Sequence, residues 1–184
     1  MINIDDDFKM TKEQEIKNDC EAVRATGDLE GIENQTEEIC SLAIKMDPFN
    51  IMHLKKQTEE LCIKAVTIYP EVLKLVKKQT EKICKAAVKA GGYSLKYVRE
   101  QTPEICLAAV KENGWALEHV KNQTEEICKA AVKQNGLALQ FVKEQTKGLC
   151  EIAADENPFA KTFINEELME SLDLKTDYEW EHEI

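Results

Sequence analysis

At 184 residues the chain is long enough for one domain with its own core, and a 43% hydrophobic content excludes a disordered polymer. Aromatics supply only 6%, so Ile, Leu, Val, Ala and Cys must fill the interior. The net charge of −11 argues against a surface that tracks phosphates. No apolar run approaches the roughly 20 residues of a membrane span, and the acidic start Met1–Asp7 lacks the basic flank of a secretory leader. The expectation is an intracellular, non-secreted chain with no membrane partner.

In chain order, residues 1–14 read as an acidic N-terminal segment. Residues 15–166 read as an α-helical repeat domain, with a shortened first unit at 15–34 and six 22-residue units over 35–166. In the shortened unit Cys20, Leu29 and Ile32 take core roles and Gly27 marks the break. Residues 167–184 read as a C-terminal cap and acidic tail. A last helix over Glu166–Ser171 is expected to seal the stack with Leu168, Met169 and Leu172, and Tyr178 and Trp180 are available to tie the tail down.

The repeat rests on Gln-Thr pairs at 35, 57, 79, 101, 123 and 145, each five residues before a cysteine. A fixed period within roughly 20–50 residues is the mark of stacked supersecondary units. With Gln as position 1, the Thr at position 2 predicts a helix N-cap, and the glutamates that follow suit the positive end of the helix dipole. Apolar residues at positions 5, 6, 9 and 10, such as Ile105, Cys106, Ala109 and Val110, form one face of a helix of about ten residues. Positions 13 and 14 are Asp47-Pro48, Tyr69-Pro70, Gly91-Gly92, Asn113-Gly114, Asn135-Gly136 and Asn157-Pro158. Asn-Gly is expected to stop the helix through a left-handed residue, and Asp-Pro or Asn-Pro to cap the next one. A second helix of about seven residues follows, with pairs such as Leu117 and Val120 three apart. Neither helix can bury its face alone, so the predicted fold is all-α, an α-solenoid or αα superhelix of two-helix repeats.

Each regular column has a structural reading beside a functional one. Cys40, Cys62, Cys84, Cys106, Cys128 and Cys150 form a ladder in which a buried small hydrophobe is favoured over redox or metal chemistry. Helices about 8–10 Å apart place neighbouring cysteines beyond disulfide reach. No His stands at ligand spacing beside them, so neither metal nor cofactor is expected. The glutamine column is expected to hydrogen-bond the inter-unit turn or the next glutamine. Position 21 aligns Lys55, Lys77, Arg99, Lys121 and Lys143 into a cationic stripe. Residues 35–144 hold 17 Lys and Arg against 14 Asp and Glu, a net of +3, between ends of −6 and −8. A solvated face is the plain reading, and contact between oppositely charged parts of different copies is the functional one.

The variable columns are position 19, with His53, Leu75, Tyr97, His119, Phe141 and Phe163, and position 15, with Phe49, Tyr93, Trp115, Leu137 and Phe159. Variation on a rigid repeat is where solenoids encode partner choice. Partner-binding candidates are therefore His53, Tyr97, Trp115, His119 and Phe141 with the position-21 cations. Catalysis finds no foothold, because His53, His119 and His182 are scattered and no phosphate loop or nucleophile elbow occurs.

The strings AAVKENG and AAVKQNG, followed by WALEHV and LALQFV, resemble a domain-of-unknown-function family of short helical repeats found in giant DNA viruses of amoebae and some intracellular bacteria. The likeness runs over about 35–166, and Asp47-Pro48 and Tyr69-Pro70 depart from its Asn-Gly. It implies a chain acting in the host cytoplasm if viral, and it carries no activity or ligand. The leading expectation is a non-enzymatic scaffold for a host or viral protein. A self-assembling virion or viral-factory component comes second, and an anion or nucleic-acid binder using the cationic stripe last.

Overall fold

Six threonines set the frame. Thr36, Thr58, Thr80, Thr102, Thr124 and Thr146 sit in extended backbone, and each hydroxyl accepts the N–H three residues on at 3.3–3.4 Å. A capped start and an apolar face then carry the ten-residue helices α2 (Glu37–Met46), α3 (Glu59–Ile68), α4 (Glu81–Ala90), α5 (Pro103–Glu112), α6 (Glu125–Gln134) and α7 (Lys147–Glu156). Pro103 occupies the first turn of α5, where its missing N–H costs no bond. The structure, a computed structural model, describes residues 11–172. The expected acidic start before residue 11 and the tail with Tyr178 and Trp180 lie outside the described residues.

The second helix of each unit is a six-residue 3-10 helix rather than an α-helix: Pro48–His53, Pro70–Leu75, Gly92–Tyr97, Gly114–His119, Gly136–Phe141 and Pro158–Phe163. Its bonds run from residue i+3 back to i, as from Ala116 N–H to Asn113 C=O at 2.9 Å. Asn113 corrects the expected left-handed stop. Its backbone is extended (φ −149°, ψ 110°), and its side chain caps the 3-10 helix by accepting Trp115 N–H at 3.0 Å. Asp47, Asn135 and Asn157 repeat that cap. The glycine after Asn113 is needed for space. A Cβ on Gly114 would stand 2.7 Å from the Ala131 carbonyl oxygen of the next unit, and one on Gly136 would stand 2.5 Å from that of Ala153.

Helix α1 (Lys12–Thr26) begins before the expected boundary at 15 and runs 15 residues, capped by Thr11 and ended by Gly27 in the left-handed region (φ 72°). The shortened unit thus has one long helix and a connector, with no 3-10 helix of its own. Helix α8 (Glu166–Leu172) closes the stack, with Leu168, Met169 and Leu172 against the core as expected.

The result is all-α among the described residues, with 22-residue units of α-helix and 3-10 helix packed in sequence as a solenoid. One continuous core runs through it. Each 22-residue unit contributes the Ile or Leu, Cys, Ala and Val or Ile face of its α-helix, with Ala154 as the fourth residue in α7, and the inward residues of its 3-10 helix. No helix among the described residues is long and apolar enough to cross a membrane.

Candidate interaction surface

The glutamine column is a set of staples. Gln79 donates its amide to Leu73 C=O of the preceding unit and to Tyr97 C=O at the end of its own, both at 3.0 Å. Its side-chain oxygen accepts Arg99 N–H at 3.0 Å. Gln57 and Gln123 make the same three kinds of bond, while Gln35, Gln101 and Gln145 hold the turn of their own unit. Of the two expected partners the inter-unit turn is the one engaged. Backbone groups at a turn between packed units would otherwise be left without partners.

Cysteine sits beneath this staple. All seven cysteines are buried free thiols. The sulfurs of Cys84, Cys106, Cys128 and Cys150 lie 3.6–3.9 Å from the side-chain oxygen of the glutamine five residues earlier, in reach of a weak S–H donor bond. Burial pushes Cys40, Cys62, Cys84, Cys106, Cys128 and Cys150 above their ordinary value of 9.0. A thiolate, the form that attacks disulfides and binds metal, is thereby disfavoured.

The sign of the linkage is definite. Below pH 9.0 the thiols keep their protons in both folded and unfolded chains. Above it the unfolded chain ionises first, so stability falls as pH rises until the folded thiols also ionise. The urea midpoint should therefore drop between about pH 8 and about pH 10, and drop less in a Cys106→Ala/Cys128→Ala double variant. Equal losses in both proteins would dissociate the cysteine column from alkaline sensitivity.

The position-21 cations form a ladder against the backbone. Lys55 Nζ donates to Glu33 C=O at 2.9 Å and pairs with the Glu33 carboxylate at 3.3 Å. The Arg99 guanidinium donates to the carbonyls of Lys77 and Val76 at 2.9 and 3.0 Å. Lys121 reaches Arg99 C=O at 2.9 Å, and Lys143 reaches Lys121 C=O at 3.1 Å. Four of the five head groups thus serve a carbonyl one unit back, on the backbone turn their own unit repeats, while Lys77 engages through its backbone N–H, donated to the Gln57 side-chain oxygen at 2.8 Å.

The variable columns come together differently. Position 15 of one unit meets position 19 of the next, in register along the stack. Tyr93 meets His119 edge-on at 4.6 Å between ring centroids, and Trp115 meets Phe141 edge-on at 5.6 Å. Glu71 accepts the Tyr97 hydroxyl at 3.4 Å as the polar version of the same pair. Position 18 adds two cations: Lys74 Nζ stands 5.7 Å from the Tyr97 ring centroid, and Lys96 Nζ stands 4.7 and 4.8 Å from those of Tyr93 and Tyr97. The Glu118 carboxylate accepts the Tyr93 hydroxyl at 3.2 Å and holds that phenol above its usual range.

The stacking of the units places Tyr97, Trp115, His119 and Phe141 along one strip, in which Tyr97, His119 and Phe141 of position 19 are half-buried and the Tyr93 and Trp115 rings of position 15 stand out. Tyr93 and Trp115 keep 38% and 37% of their surface exposed, and Phe159 in the last unit keeps 69%. The strip is interrupted by charge, from Lys74, Lys96 and Glu118, rather than continuously apolar. His119 Nε2 is buried with no hydrogen-bond acceptor; the Glu118 carboxylate, 3.9 Å away, is too far to supply one. His53 lies at the opposite end, beside the connector after α1.

Lys74, Lys96, Glu71 and Glu118 do not stand out in the sequence as candidates. The available signal is the three-residue spacing from position 15 to position 18, which puts both on one edge of a 3-10 helix.

No curated protein and no solved structure matches the chain. One family model does, and it begins at the N-cap of α5 and ends in the first residue of α7, so that it spans two consecutive units. Residues 102–147, with the Trp115–Phe141 pair inside them, form a DUF4116 domain, a domain of unknown function.

Proposed function

We propose that the chain is a non-catalytic scaffold that binds a protein partner along the strip of positions 15 and 19. The observation that carries this reading is the register of ring pairs, Tyr93 with His119 and Trp115 with Phe141, left partly open on a frame whose other columns serve its own folding. Aromatic rings with restricted rotamers and adjacent charges are the usual anchors of protein interfaces. The likeness of the Ala-Val-Lys-x-Asn-Gly strings to repeats of giant DNA viruses supports a viral chain whose partner is a host or viral protein inside the cell. Four of the five position-21 cations, already bonded to carbonyls, give a polyanion less to hold.

Self-assembly is the second reading, favoured by Phe159, 69% exposed at the last unit, where a further copy would supply the missing neighbour.

A pull-down with the full chain, followed by quantitative binding, tests the first reading. Trp115→Ala should weaken capture of the partner by about thirtyfold, the effect of losing a central aromatic anchor, while the chain stays folded and the lost edge-on pairing with Phe141 costs only about 0.5–1.5 kcal/mol of stability. Unchanged affinity in Trp115→Ala and Tyr93→Ala would sink the strip as the binding surface. Concentration-dependent oligomers abolished by Phe159→Ala would favour self-assembly instead.

A further inference from the structure

We propose that Asp28, Glu30 and His53 form a binding site for a single divalent cation of the zinc, cobalt and manganese class. The site is independent of the scaffold reading and lies at the N-terminal end of the stack. One ring nitrogen of His53 and one carboxylate oxygen from each of Asp28 and Glu30 lie within 4.8 Å of one another.

A departure from the repeat builds this cluster. Position 16 is Val72, Ser94, Ala116, Ala138 or Ala160 in the later units, but Asn50 in the first. Asn50 is 3% exposed, and its amide group donates to Gly27 C=O at 2.7 Å and to the carbonyls of Ala43 and Asp47 at 3.1 Å. Its side-chain oxygen accepts Leu29 N–H at 2.8 Å. One buried amide therefore clamps the connector after α1 onto the 3-10 helix Pro48–His53. Residues three apart on such a helix eclipse, so the residue that grips the connector lies beneath the one that offers the imidazole.

The connector is shaped to answer it. Gly27 and Gly31 have left-handed backbone (φ 72° and 80°) and bracket the segment. Leu29 is fully buried between Asp28 and Glu30, which remain exposed, and the Asp28 carboxylate accepts Glu30 N–H at 2.8 Å. Two carboxylates are thus held together, in a region where residues 1–34 carry ten acids against four bases. Their mutual repulsion falls when a cation joins them.

The donor set selects the ion. One imidazole with two carboxylates suits a borderline dication, whereas calcium and magnesium favour oxygen alone. At metal–ligand distances of about 2.0–2.2 Å, neighbouring donors stand roughly 3–3.5 Å apart. Rotation of the two exposed carboxylates supplies the approach. Three protein ligands leave positions open, and two of the three, Asp28 and His53, also line a cleft of about 570 Å³ with Asp47, Phe49, Met46 and Met52. This is the coordination pattern of a site that exchanges water or a small ligand, rather than of a closed structural site.

The test is titration of the full chain with Co²⁺ and Mn²⁺ by calorimetry, with the Co²⁺ absorption spectrum recorded in parallel. One equivalent should bind, with the spectrum of nitrogen and oxygen ligation and no thiolate charge-transfer band. Asp28→Asn keeps the oxygen that accepts Glu30 N–H, and Glu30→Gln removes only a surface charge, so both should fold. Their double variant, like His53→Ala, should bind at least about tenfold more weakly with unchanged circular dichroism. No binding by the wild type, undiminished binding by the double variant, or a thiolate band pointing to the cysteines would each overturn the assignment.

Discussion

Gly114→Ala should lower the stability of the solenoid, although alanine is the better helix former. A Cβ at this position would stand 2.7 Å from the Ala131 carbonyl oxygen, 2.9 Å from the Gln134 side-chain oxygen and 3.1 Å from the Asn135 Cβ. Gln134 can swing away only by giving up the Gly114 N–H that its side-chain oxygen accepts at 2.6 Å. The Ala131 carbonyl cannot, since it accepts the Asn135 N–H that ends α6. Relief must come from separating two units along the whole stack. Forcing a methyl into such a contact costs about 1–3 kcal/mol, and for a domain of this size that corresponds to roughly 3–10 °C in thermal midpoint.

Gly148→Ala is the matched control. It lies in the first turn of α7, and nothing stands within 4 Å of its would-be Cβ. Here only backbone freedom changes, and alanine should stabilise by up to about 1 kcal/mol. Opposite signs from one substitution at two glycines are the expected result. A Gly114→Ala protein melting at or above the wild-type midpoint would mean that the units tolerate spacing the contact forbids.

That pair of glycines also marks how far the sequence was legible. The period, the threonine caps, the buried face at Ile105, Cys106, Ala109 and Val110, and the closing role of Leu168, Met169 and Leu172 all follow from local pattern. Local chemistry decides them, so local residues reveal them. The break at Asn113-Gly114 was readable as a break, but its cause was not. Asn-Gly suits both a left-handed stop and an asparagine cap with a close contact behind it, and the choice depends on the distance to Ala131, which no string of residues states. The 3-10 form of Gly114–His119 escaped for the same reason. Six residues between two extended caps fit either helix, and packing against α5 and α6 selects the tighter one.

The candidate surface divides likewise. Positions 15 and 19 stood out as variable columns, but their pairing links residues 26 apart, such as Trp115 and Phe141, and appears only once the units are stacked. The cationic column was legible as a stripe, whereas its carbonyl partners are backbone atoms that every sequence possesses. Asp28, Glu30 and His53 are the extreme case. Their spacing matches no ligand motif, and only the clamp by Asn50 brings the connector to the imidazole.

Gln79→Ala should be the most damaging substitution of a side chain that is not wholly buried. The amide bonds of Gln79 reach two successive units, to Leu73 C=O and Tyr97 C=O, and its oxygen holds Arg99 N–H, all at 3.0 Å. Removing it strands two backbone groups, Tyr97 C=O and Arg99 N–H, and leaves Leu73 C=O with only the Val76 N–H it also accepts at 3.2 Å, at a junction where neighbouring residues Leu73 and Val98 are buried. A stranded, partly shielded backbone group costs about 1 kcal/mol or more, so a loss of about 2–4 kcal/mol is expected in urea unfolding. Gln79→Met separates the causes, because it restores the volume without a donor or acceptor. If the hydrogen bonds dominate, Met should recover less than about 1 kcal/mol of the loss, since packing alone returns. A Gln79→Met protein as stable as the wild type would instead make the column a spacer, and the recurrence of glutamine at 35, 57, 79, 101, 123 and 145 would then need another cause. Gln145→Ala should cost less than Gln79→Ala, because Gln145 bonds the turn of its own unit, at Phe163 C=O and Asn165 N–H, and among the described residues makes no bond to the unit before it.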